Sequence, residues 1–129
     1  MSHPNTELLK KLYADFSKGE MKAVLDVCSD DVKFAMPGRG PLAGTYTKAT
    51  FVTGLVNRIQ ELSGGTYQLT VHDVLANDQH ACVLASAVMT RKGEKVEYRT
   101  CHIWRLTQGK PVAWYEYPRD LYGFDAAWG

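Results

Sequence analysis

KVEYRTCHIWRL at 95–106, joined through TQGK to PVAWYEYP at 111–118, is the stretch whose reading decides the fold. Side chains alternate along a strand, so Val96, Tyr98, Thr100, His102, Trp104 and Leu106 share one face, while Glu97, Arg99, Cys101, Ile103 and Arg105 share the other. The first face is aromatic and aliphatic with one histidine in its middle. A large apolar surface with few polar groups is what a small-molecule pocket requires, so this face reads as the wall of an internal cavity.

The same period extends upstream. Strands are expected at about 67–76, 80–91, 94–106 and 111–118, joined by turns at Asn77-Asp78-Gln79, Lys92-Gly93 and 107–110, and such short connections make neighbours antiparallel. The first half of the chain has the helical period instead. Leu8, Leu9, Leu12, Tyr13 and Phe16 form one stripe behind a cap at Asn5, and Met21, Val24, Leu25 and Cys28 form a second. Phe51, Val52, Leu55, Val56, Ile59 and Leu62 form a third, capped by Thr47 and stopped at Ser63-Gly64-Gly65. A short strand at 32–36 ends at Pro37. The order helix, helix, short strand, helix, long meander predicts an α+β fold, a curved antiparallel sheet wrapped around three helices.

A length of 129 residues predicts one domain spanning 1–129. The net charge of +1 gives no field for gathering phosphates or an anionic surface, so neither nucleic acid nor membrane is an expected partner. Three cysteines without CxxC spacing predict reduced thiols and a cytoplasmic location, and the N-terminus lacks the apolar run of a signal peptide. The loop GRGPLAG, 38–44, has the wrong spacing and no GK[ST] for a nucleotide cradle. His80 and Cys82 share a strand face, but Cys101 and His102 point oppositely, and no metal site is expected. His72 and Asp73 alternate, so one is expected to reach the pocket rim. The aromatic tail, 119–129, is expected to cover the pocket or to pack on a second subunit.

Three segments, SDDVKFAMPGRGPLAGTY at 29–46, VHDVLANDQHACVL at 71–84 and WYEYPRDLYGFDAAW at 114–128, resemble the SnoaL-like branch of the nuclear transport factor 2-like superfamily. The resemblance implies a cone-shaped sheet around a deep apolar pocket and a homodimer through the outer sheet face. It also implies chemistry of the kind found in ketosteroid isomerase, polyketide cyclases or limonene-epoxide hydrolase, or binding alone. In ketosteroid isomerase a carboxylate base precedes a proline, where this chain has Met36 before Pro37. Close relatives carry a histidine where this chain has Ala35. The isomerase's oxyanion-binding aspartate falls on or near His102, and its helix-one tyrosine aligns closer to Leu12 than to Tyr13.

His102 is therefore the leading candidate for acid–base work, because an imidazole titrates near neutral pH. The alternative is a core histidine bonded to Tyr98 or a backbone carbonyl. A three-residue loop at 107–109 would set His102 opposite Trp114 with Glu116 diagonally beside it, whereas a two-residue loop would turn Glu116 outward. Tyr13, Phe16, Phe34, Met36, Tyr98, Trp104 and Trp114 are the expected ligand-contacting residues. The ligand is expected to be a small apolar molecule, with no cofactor. The expected reaction, if there is one, is isomerase- or cyclase-type proton transfer next to a carbonyl.

Overall fold

The computed structural model describes residues 3–129; Met1 and Ser2 lie outside the described residues. Helix α1 (Pro4–Ser17) begins two residues earlier than a cap at Asn5 would allow. His3 is the cap instead: its Nδ1 accepts the Asn5 backbone N–H at 3.0 Å, and Pro4 sits where a helix needs no amide donor. Asn5 is buried, and its side-chain amide donates to the Asn77 carbonyl at 3.0 Å, fixing the start of α1 to the turn between the third and fourth strands.

Helix α2 (Met21–Asp26) returns against α1 and leads to β1 (Lys33–Met36). The glycine-rich stretch contains a strand that its sequence hid, β2 (Gly44–Thr47), antiparallel to β1. Thr47 therefore ends a strand rather than capping a helix. The third apolar stripe begins at Phe51 as a π-helical segment, Phe51–Val56, and continues as α3 (Asn57–Ser63). Gly54 lies in that segment directly against the Tyr46 ring, where a Cβ would come within 3.2 Å of the ring carbons.

The meander follows as β3 (Gln68–Ala76), β4 (His80–Arg91), β5 (Glu94–Thr107) and β6 (Lys110–Pro118), and the six-stranded order is β2-β1-β6-β5-β4-β3. The sheet is not wholly antiparallel. β1 lies parallel to β6, pairing Phe34 with Trp114. Ala81, Ala85 and Ala87 point inward from β4, and their small side chains let α3 pack close to the strand.

Both tight hairpins carry positive φ at their two central residues, Lys92 (53°) with Gly93 (80°) and Gln108 (50°) with Gly109 (77°), matching the right-handed twist of the strands. The second turn thus has two residues, not three. Thr107 pairs with Lys110 and Leu106 with Pro111, but Arg105 pairs with Ala113, so Val112 is an extra residue in β6. This bulge reverses the parity that the short turn would impose. Without it Glu116 would lie opposite Cys101 on the outer face; with it, Glu116 lies directly opposite His102 and Trp104 opposite Trp114.

A second bulge falls at His72, between the pairs Val71–Ala85 and Asp73–Leu84. The extra residue breaks the alternation, so His72 and Asp73 are both exposed and neither reaches the pocket rim. The tail forms α4 (Leu121–Trp128), capped by the Asp120 carboxylate. Phe124 (2% exposed) and Trp128 (1%) enter the cone, while Tyr122 stays in solvent. The glycine-rich loop holds this helix in place: Gly38 (φ 85°) has no room for a Cβ beside the Asp125 carboxylate, which accepts the Arg39 backbone N–H at 3.2 Å.

Candidate functional site

Strand β5 supplies the wall of the site. Its inward side chains include Tyr98, Thr100, His102 and Trp104, with Trp114 and Glu116 joining them from β6, Phe34 and Met36 from β1, and Tyr13 and Phe16 from α1. All nine side chains expected from the sequence line one cavity. Phe34 meets Phe51 ring to ring at 4.3 Å and stands edge-on to Trp104, so the deep end is packed aromatic surface.

The cavity is smaller than a deep pocket. Its volume is about 60 Å³, space for about four waters at roughly 15 Å³ each. A groove of about 550 Å³ adjoins it, lined by Ser17, Lys18, Gly19, Gln60, Gln68 and Thr70 at its outer end. Tyr13, Phe16, Val56, Ile59, Tyr67 and Leu69 border both spaces and form the neck between them.

A chain of buried hydrogen bonds runs along the cavity wall. Trp104 Nε1–H donates to Tyr13 Oη at 3.0 Å, Tyr13 Oη lies 2.6 Å from His102 Nδ1, and His102 Nε2 lies 3.1 Å from Glu116 Oε2. The Thr100 hydroxyl donates to the same carboxylate oxygen. With the carboxylate ionised, one arrangement satisfies every link: the tyrosine hydroxyl donates to Nδ1, and Nε2–H donates to Glu116. His102 is therefore bonded neither to Tyr98 nor to a backbone carbonyl. Tyr98 Oη instead accepts the Trp128 indole N–H at 3.3 Å.

The chain is dry. Tyr13, His102 and Glu116 are 9%, 4% and 6% exposed, and no buried side-chain nitrogen or oxygen among the described residues lacks a partner. Oε1 of Glu116 makes no hydrogen bond to any described residue, and because no fully buried polar atom there lacks a partner it keeps accessible surface, on a residue that lines the cavity. Burial pushes the Tyr13 phenol well above its ordinary range, because its phenolate would lose hydration. Tyr67 and Tyr98 are raised for the same first reason, with the Glu116 charge adding to it. All three phenols are protonated at neutral pH; the Tyr13 hydrogen goes to His102, leaving those of Tyr67 and Tyr98 as donors.

The alignment that put Leu12 at the position of the isomerase's helix-one tyrosine needs revision in space. Leu12 lines the cavity, but Tyr13 carries the hydroxyl that meets His102. Sequence reasoning also passed over Thr100, Tyr67 and Trp128. Thr100 was detectable, two residues before His102 on the same face; the tail tryptophan gave no sign of the hydroxyl it would meet.

The cysteines divide by face. Cys28 is buried behind α2, whereas Cys82 and Cys101 lie half-buried on the outer face of the sheet with sulfurs 3.0 Å apart. Cys101 thus points away from His102.

The SnoaL-like domain family matches this chain over residues 9–114. The chain belongs to that family. It is 22% identical over 123 residues to the uncharacterized protein Rv0034 of Mycobacterium tuberculosis, covering 95% of this chain and 94% of the relative. Among solved structures, this SnoaL-like chain is similar to Bal32a from a soil-derived mobile gene cassette, with TM-score 0.88, 24% identity and coverage of 98% and 97%. A nuclear transport factor 2-like protein of Burkholderia pseudomallei gives TM-score 0.85 at 18% identity, covering 98% of each chain. TerC, co-crystallized with polyporic acid, gives 0.83 at 20%, covering 97% of this chain and 98% of its own. These likenesses show the cone fold; the SnoaL-like chemistry must be argued from the cavity itself.

Proposed function

We propose that this SnoaL-like protein binds a small, largely apolar molecule at the neck and inner end of the cone, and moves a proton next to the ligand's carbonyl without a cofactor. The observation that carries this reading is the buried His102–Glu116 pair, which turns an unpartnered carboxylate oxygen toward an aromatic cavity. A structural ion pair would have no use for an accessible lone pair there, since burying an unpaired carboxylate oxygen is costly.

In the reaction, Glu116 Oε1 removes the proton α to the carbonyl, forming the O–H bond as the C–H electrons enter the enolate. The Tyr98 hydroxyl hydrogen-bonds the enolate oxygen, and the protonated Glu116, exchanging with solvent through the adjoining groove, returns a proton to carbon at the γ position of an unsaturated ketone. His102 is a positioning residue: its Nε2–H fixes Glu116 Oε2, and Tyr13 fixes its tautomer. This differs from the sequence expectation of His102 as acid or base, because both ring nitrogens are already engaged.

The test is isomerisation of cyclohex-3-enone to the conjugated ketone, followed by ultraviolet absorbance, with deuterium incorporation from D₂O as a second readout. Wild type is expected to accelerate both. Glu116→Gln should abolish the acceleration and His102→Gln should reduce it. No exchange above buffer with any α-protonated ketone that binds would remove the catalytic half of the proposal.

The competing reading is a binding module without chemistry, favoured by Ala35 and Met36, where catalytic relatives of the fold place polar groups, and by the internal satisfaction of His102. It predicts binding without exchange. A homodimer through the outer sheet face and a cytoplasmic location belong to either reading. Exposed Leu75 (53%), Leu84 (41%) and Tyr117 (57%) support the dimer, and sedimentation of Leu84→Glu against wild type tests it.

A further inference from the structure

The polar atoms open to the cavity are few enough to define what kind of group can enter. Along the buried chain each donor is already used: Trp104 N–H on Tyr13, Tyr13 O–H on His102, His102 N–H and Thr100 O–H on Glu116 Oε2. The acceptor that remains is Glu116 Oε1, on a residue 6% exposed that lines the space. On the same wall, Tyr98 Oη accepts from Trp128, and its own hydrogen meets no acceptor among the described residues. The Trp114 indole also borders the cavity. The cavity therefore offers one strong acceptor, Glu116 Oε1, and the phenol hydroxyls of Tyr98 and Tyr67 as donors.

From this pattern we infer that the cavity selects a neutral ligand bearing a hydroxyl group on an apolar body, the hydroxyl donating to Glu116 Oε1 and accepting from Tyr98. A hydroxyl has one hydrogen and two lone pairs, so it can donate to one group while accepting from another. An ammonium group would match the charge of Glu116 but brings three N–H donors to a site with one open acceptor oxygen, so two of them must find partners that this wall does not supply. A carboxylate places like charge against Glu116 at low dielectric. The inner space of about 60 Å³ takes the hydroxyl-bearing end, and the apolar body lies in the neck and the adjoining groove of about 550 Å³. The inference rests on the cavity being a binding site, as proposed above, but not on any reaction occurring there.

Calorimetric titration of the full chain with 2-naphthol, 2-methoxynaphthalene, 2-acetonaphthone and 2-naphthoate tests it. The naphthol is expected to bind about tenfold or more tighter than its methyl ether, since a hydrogen bond to a charged acceptor is gained, and the carboxylate should bind weakest. Glu116→Gln gives an inverted expectation. His102 and Thr100 hold the amide oxygen at the Oε2 position, so the amide N–H₂ faces the cavity and the ketone overtakes the naphthol. Should that variant fail to fold, Tyr98→Phe supplies a second reading, weakening the naphthol several-fold and the ether little. Equal affinity for naphthol and ether in wild type overturns the hydroxyl inference while leaving the binding site standing. No binding of any of the four overturns both. Hydroxyl preference without ketone exchange keeps this inference and ends the catalytic proposal.

Discussion

Replacing Tyr13 by phenylalanine removes one oxygen and breaks two buried hydrogen bonds. Trp104 Nε1–H (3.0 Å) loses its acceptor, and His102 Nδ1 (2.6 Å) loses its donor, on residues 2% and 4% exposed. Leaving one buried polar group unpaired costs about 1–3 kcal/mol. Two such groups would lie toward the sum, but the adjoining cavity can admit a water that re-pairs one of them, so the expected loss is about 2–4 kcal/mol. That is a large share of the roughly 5–15 kcal/mol by which a domain is stable. The assay is urea unfolding at pH 7, where the midpoint should fall with the slope unchanged. Tyr122→Phe is the control, because that ring is 90% exposed and its change should stay within about 0.5 kcal/mol. The Trp104 indole proton resonance should also move and exchange faster in Tyr13→Phe. A Tyr13→Phe protein as stable as the Tyr122→Phe control would refute the hydrogen-bonded chain, and with it the assigned tautomer of His102.

Other expectations follow from burial and backbone geometry. Tyr13 has a folded pKa above its unfolded value near 10.0, so the protein should hold its stability below pH 10 and lose it above, by about 1.4 kcal/mol per pH unit from this residue, with Tyr67 and Tyr98 steepening the fall. Urea midpoints at pH 9, 10 and 11 check this, and a flat profile from 10 to 11 contradicts it. Burial pushes the Cys28 thiol up to about 11, and burial with the Cys82 contact pushes Cys101 up to about 12. Iodoacetamide at pH 8 should therefore mark Cys28 only on unfolding, as read by peptide mass spectrometry. Gly38→Ala forces a side chain into φ 85° and against Asp125, and should cost about 1–3 kcal/mol, with faster amide exchange at Phe124 and Trp128 as α4 loosens. Unchanged exchange there would mean the loop does not anchor the helix.

Much of this architecture could be read from periodicity. The 3.6-residue stripes at 8–16 and 51–62, and the two-residue alternation of β4 and β5, require one face of each element to be buried, and the α+β cone follows. The aromatic face around His102 was legible for the same reason. The position of Glu116 was not, because it depends on two local choices whose effects cancel: a two-residue turn at Gln108-Gly109 turns the carboxylate outward, and the bulge at Val112 turns it back. Neither Val112 nor its neighbours have a composition that marks a bulge. Strand β2 was hidden because GTYT is four residues long, with its side chains largely exposed and no apolar face to reveal its period. The Tyr13–His102 contact joins residues 89 positions apart, and its distance depends on how α1 lies across the sheet. Cavity size depends on the summed volumes of facing side chains, which no single segment determines.

The parallel join between β1 and β6 has a consequence for the order of assembly. Hairpins β3–β4, β4–β5 and β5–β6 close over two to three intervening residues, whereas pairing Phe34 with Trp114 must bring together segments 80 positions apart. The meander can therefore collapse early, with its aromatic concavity still uncovered, and the hollow becomes enclosed only when the N-terminal helices swing over it. Hydrophobic dyes should light up transiently during refolding and go dark in the last kinetic phase.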